Sequence, residues 1–192
     1  MISFILFLGD ASDTSITTLN YNITFRDKVV GTLKSTKFKK HGTTYYQSIN
    51  NTKLRLIKEF LVNYKYDVEF NNGFLNKADV FITVNNSPHS KTSTQWMNSH
   101  YKIVKNDATE KTLEDPIYYS TIQLYFNEPI NISKCYSEQD GSFNTIVPLE
   151  NHTYKKINSQ GKENIYYYQD GVLTKATIDG GLIHFDIIAT KE

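Results

Sequence analysis

The sequence predicts a mainly β protein: a large, curved antiparallel sheet of about a dozen strands, a half-barrel, with one short mid-chain helix. Three observations carry this prediction. Side chains alternate between apolar and polar over long runs, turn-forming residues cut those runs at short intervals, and the composition suits a pleated surface. Aromatic residues make up 14% of the chain, mostly tyrosine (14) and phenylalanine (11). These residues, with Thr, Ile and Val, fit a half-buried strand.

The alternation is cleanest in residues 58–70, KEFLVNYKYDVEF. Phe60, Val62, Tyr64, Tyr66, Val68 and Phe70 fall on one face, and Asn63, Lys65, Asp67 and Glu69 on the other. Only Leu61 breaks the pattern, so this is a strand with one dry and one wet face. Residues 19–25, LNYNITF, repeat it with Leu19, Tyr21, Ile23 and Phe25 on the dry side.

Between such runs stand Asp27-Lys28, His41-Gly42, Asn71-Asn72-Gly73, Asn85-Asn86, Asp140-Gly141, Gln160-Gly161 and Asp170-Gly171. Asn, Asp and Gly tolerate the positive φ of tight hairpins. Connections this short join antiparallel neighbours only.

One segment departs from strand periodicity. Between Pro116 and Pro129, Tyr118, Ile122 and Tyr125 (or Tyr119, Ile122 and Phe126) recur at helical spacing, and a proline bounds each side. About two turns of helix are expected over residues 117–126. This helix divides a longer N-terminal meander from a shorter C-terminal one. Residues 70–78, FNNGFLNKA, echo residues 168–176, YQDGVLTKA; a shared turn requirement is the favoured account of the match, ahead of a duplicated half-sheet.

A chain of 192 residues suits one β-rich domain, taken as 16–192. Residues 1–15 read as a signal-peptide remnant or a flexible N-terminus. Their apolar run, Ile2 to Leu8, is too short to span a bilayer and has neither a basic n-region nor an Ala-x-Ala cleavage site. The remnant reading implies export, to the periplasm or cell envelope.

Chemistry is harder to find. A net charge of +1 gives no electrostatic footprint for nucleic acid. Cys135 is the only cysteine, which excludes an intramolecular disulfide. His41, His89, His100, His152 and His184 are scattered, without zinc-site spacing. Glu138, Asp140, Asp170 and Asp179 lie at turns, where local backbone bonding explains them. No catalytic residue, metal or cofactor is predicted. One short helix cannot fill so wide a sheet, so either the sheet folds over on itself or a cavity remains. The expected ligand face comprises Phe60, Val62, Tyr64, Tyr66, Val68 and Phe70, with Ile122, Tyr125 and Phe126 from the helix.

Several phrases together, YNITFRDKVVGTLKSTKF (21–38), YKYDVEFNNGFLNKADV (64–80), STIQLYFNEP (120–129), CYSEQDGSFN (135–144) and GKENIYYYQDGVLTKATIDG (161–180), carry a resemblance. The chain resembles an uncharacterised bacterial cell-envelope family, a domain of unknown function, over residues 16–189. More distantly it is similar to the LolA-like superfamily of periplasmic lipoprotein carriers, departing from it in having one evident helix. That resemblance implies a curved sheet holding an acyl chain on its concave side. The expectation is a non-enzymatic envelope domain that binds a lipid or other apolar molecule. The alternative is a structural or interaction domain with a packed core, whose partner would be another envelope protein; an enzyme with an unrecognised site ranks third.

Overall fold

A computed structural model describes residues 15–55, 59–180 and 183–190; the apolar run at residues 2–8 lies outside them. The described chain forms fourteen strands in one antiparallel sheet. The first meander comprises β1 (Ile16–Phe25), β2 (Lys28–Lys40), β3 (Thr43–Arg55), β4 (Glu59–Asn71), β5 (Phe74–Val84), β6 (Ser87–Trp96), β7 (Tyr101–Lys105) and β8 (Thr109–Leu113). The second comprises β9 (Lys134–Ser137), β10 (Ser142–Pro148), β11 (Thr153–Ile157), β12 (Glu163–Gln169), β13 (Val172–Asp179) and β14 (His184–Ala189). They join where β14 pairs with β1, with Ile23 opposite Ile187. The order across the sheet is therefore β8 to β1, then β14 to β9.

The sheet does not close by backbone pairing between β8 and β9. Instead the β9 end tucks against the inner face of β6. The Tyr136 hydroxyl meets Thr94 Oγ1 at 2.8 Å, and Thr92 Oγ1 donates to the Gln139 carbonyl at 2.8 Å. The result is an open spiral.

Hairpin turns sit where Asn, Asp and Gly predicted them, with positive φ at Asp27, Asn72, Gly73, Asn85, Asn86, Asp170 and Gly171. The strand number exceeds the expected dozen because Asn106-Asp107 and Asn151-His152 also turn with positive φ, without a glycine to announce them. The echo between 70–78 and 168–176 is a shared hairpin. Phe70 pairs with Leu75 and Asn71 with Phe74, as Tyr168 pairs with Leu173 and Gln169 with Val172, each after a register shift. The same arrangement recurs at 24–29 and 83–88, so the hairpin form is a local rule.

The helix is shorter than expected: a single 3-10 segment over Thr121–Tyr125. Two pairings explain the loss of its first turn. Tyr136 N–H donates to the Tyr119 carbonyl at 2.9 Å, and Leu75 N–H to the Ile117 carbonyl at 2.8 Å. Residues 117–119 are thus held as an extra edge, and helical winding begins only after Ser120, whose backbone is extended.

Two apolar clusters flank this segment. One gathers Tyr21, Leu33, Leu124, Cys135, Tyr168, Leu173 and Ala176; the other Tyr46, Val68, Phe70, Leu75, Tyr101, Ile117 and Ile122. The two echo hairpins contribute one trio to each, Phe70–Leu75–Ala78 and Tyr168–Leu173–Ala176.

Candidate ligand cavity

The 3-10 segment plugs one end of the spiral and leaves the other open. Above it lies a cavity of about 750 Å³, lined from both meanders. Thr121, Ile122 and Tyr125 form its floor, and Phe60, Val62, Ile82 and Val84 one apolar wall. Ile23, Val30, Ile178, Ile183, Phe185 and Ile187 form another. His89, Lys105, Gln160 and Lys162, beside turns at the open end, form the mouth.

The expected ligand face divides between two environments. Phe60, Val62, Tyr64, Tyr66, Ile122 and Tyr125 line the cavity. Val68, Phe70 and Phe126 belong to the packed cluster around Tyr46, with the Phe70 and Phe126 rings 5.8 and 5.4 Å from the Tyr46 ring. The boundary follows the strand: going along β4 towards residue 70, side chains meet the plug instead of open volume.

Polar side chains missed at the sequence level also face inward. Along β3 it is Ser48, Asn50 and Thr52 that line the cavity, while Ile49 lies outside at 47% exposure. Register forces this inversion, because Ser48 sits opposite Tyr66 and Asn50 opposite Tyr64 on the dry face of β4. Ser48 and Ser35 hydroxyls meet at 3.0 Å, and Thr52 Oγ1 donates to Asn50 Oδ1 at 3.2 Å.

Glu138 is as deeply buried as Ser48, at 1% exposure. Its carboxylate accepts the N–H groups of Thr121 at 3.2 Å and Ile122 at 3.1 Å, orphan donors at the start of the 3-10 segment. Burial raises its pKa despite these donors and nearby Lys156. Asp140, by contrast, bonds locally as a turn residue: Ser137 Oγ donates to its Oδ2 at 2.9 Å and accepts its N–H at 3.2 Å.

Lys156 enters the cavity from β11, opposite Ile146 and Asn164, with 7% of its surface exposed. Burial pulls its ammonium towards neutrality, but Tyr166, Cys135, Glu138 and Asp140 outweigh that effect and keep it protonated. Tyr64 and Tyr66 line the same depth. Burial pushes the Tyr64 phenol up to about 12, and the Tyr66 hydroxyl donates to Gln139 Oε1 at 3.2 Å. These phenols are neutral hydrogen-bonding groups. Among the described residues, no group of three or more His, Cys, Asp or Glu could hold a metal ion, and no helix is long and apolar enough to cross a membrane.

The model of one protein family, "Domain of unknown function (DUF6134)", matches residues 21–190. The chain belongs to this family. Among solved structures, the DUF6134 chain is similar to a β-barrel-like protein of domain of unknown function DUF1849 from Brucella abortus, with a TM-score of 0.56. The match covers 94% of this chain and 98% of that one at 9% identity, a likeness of fold alone. No curated protein matches the sequence. The expected relation to a domain of unknown function thus holds, while the distant likeness to lipoprotein carriers belongs to the proposal below.

Proposed function

We propose that this DUF6134 domain is a non-enzymatic carrier that holds a lipid or other apolar molecule inside its spiral. One observation carries this reading: the interior is packed only at the plugged end and open above it, with about 750 Å³ of space. Sites for small molecules span roughly 300–1,000 Å³ and are mostly apolar with a few placed polar groups. The walls from Phe60 to Val84 and from Ile178 to Ile187 have this character. We infer export to the periplasm or cell envelope from the sequence resemblance to LolA-like carriers and from the apolar run at residues 2–8.

Titration with a fluorescent fatty-acid probe, paired with native mass spectrometry of protein purified from its own host, tests the reading. Saturable binding at micromolar concentration and a co-purified apolar adduct are expected. Neither adduct nor saturable probe binding would leave an interaction domain as the better account. Fractionation of host cells tests export, with recovery in the cytoplasm counting against it.

A further inference from the structure

We infer that the cavity takes a single-chain amphiphile with a carboxylate head, held at Lys156, its tail running up the apolar walls towards the mouth. The inference rests on the carrier reading and adds the chemistry of the ligand.

Lys156 is more than nine-tenths buried, and what remains exposed faces the cavity. Among the described residues, no hydrogen bond or ion pair within 4 Å engages its ammonium. Its neighbour on β11, Lys155, has one, with Glu163 at 3.1 Å. A buried charge without a counter-charge in contact is costly. The nearby carboxylates have other partners: Glu138 holds two backbone N–H groups, and Asp140 holds Ser137. A ligand anion would supply the missing contact.

The surroundings suit a carboxylate. Tyr64 and Tyr166 line the cavity with Lys156, as do Asn50 and Asn164, bringing O–H and N–H groups to the same lining. Above the polar level the side chains turn apolar, with Phe60, Val62, Val84, Ile178 and Phe185. A buried ammonium below apolar walls suits a molecule with its charge at one end.

The test compares palmitate, methyl palmitate and butyrate as competitors of the bound fluorescent probe, in the intact chain and in Lys156→Met and Lys156→Arg. In the unaltered chain, palmitate should bind at least tenfold tighter than its methyl ester, and butyrate should not compete. Lys156→Met should reduce that preference to near unity by weakening the acid alone, and Lys156→Arg should keep most of it. Equal binding of acid and ester in the unaltered chain overturns the inference while leaving the carrier reading intact, and requires no variant to fold. Butyrate competing as well as palmitate overturns it too, pointing to a small-acid site. Failure of every long-chain probe overturns the carrier reading itself.

Discussion

The hydroxyl of Tyr168 donates to the backbone carbonyl of Leu124 at 2.7 Å. The last carbonyls of a helix have no partner within it, and here they are buried inside a barrel-like sheet. Tyrosines from the walls supply the missing donors. Tyr21 reaches the Tyr125 carbonyl at 3.2 Å; Tyr119, just before the 3-10 segment, holds the Asn127 carbonyl beyond its end at 2.8 Å. At the other end of the plug, Tyr101 donates to the Leu75 carbonyl at 2.7 Å and accepts the Ile117 N–H at 3.3 Å. The high tyrosine content thus serves the plug as well as the strands.

Removing one such hydroxyl leaves a buried carbonyl unsatisfied. Tyr168→Phe and Tyr101→Phe should each cost about 1–3 kcal/mol, read as a lower urea midpoint at unchanged slope. Tyr118→Phe, at a residue 66% exposed, should cost nothing measurable.

The inward stripe of β4 should respond in two ways. Phe70→Ala removes a ring packed edge-on against Tyr46 and should cost about 3–5 kcal/mol. Phe60→Ala and Val62→Ala border open volume and should cost under about 1 kcal/mol, while weakening fatty-acid probe binding. Equal destabilisation along the stripe would contradict an open cavity.

Cys135 is fully buried, and desolvation pushes its thiol up to about 12. A thiol is a poor nucleophile until ionised. The folded protein should therefore stay unmodified by Ellman's reagent at mildly alkaline pH and release one equivalent of chromophore in denaturant.

Acid stability should depend on Glu128. Burial favours its neutral form, but the Tyr154 hydroxyl at 2.7 Å and His152 Nδ1 at 2.9 Å outweigh this and hold its carboxyl below the ordinary range. A folded-state pKa below the unfolded one gives stability that is complete above about pH 4.3 and lost as pH falls through the folded value. Glu128→Gln should lower the melting temperature near neutrality and narrow its gap from the parent in strong acid. A constant gap at all pH values would assign the loss to packing.

Much of the fold was legible in the sequence, because strand alternation and turn chemistry act over a few residues. Phe60 to Phe70 advertise their face, and Asp170-Gly171 its turn. The extent of the helix was not legible, since Ile117 and Tyr119 are held extended by Leu75 and Tyr136, partners far along the chain. Nor were the inward Ser48, Asn50, Glu138 and Lys156. Each violates the rule that polar side chains face water, and each is placed inside by the register or by a partner invisible to local periodicity.

The pairing of β1 with β14 has a kinetic side. Each meander is built from neighbours in sequence and closes only short loops, the quick kind of contact. The seam between them joins the first described strand to the last, so its closure entropy is the largest in the sheet. During synthesis the first meander can zip while its β1 edge waits for β14, which leaves the ribosome after every other described strand. Until then the domain exposes an unpaired edge at what will become the middle of its sheet, the period in which it is most open to aggregation.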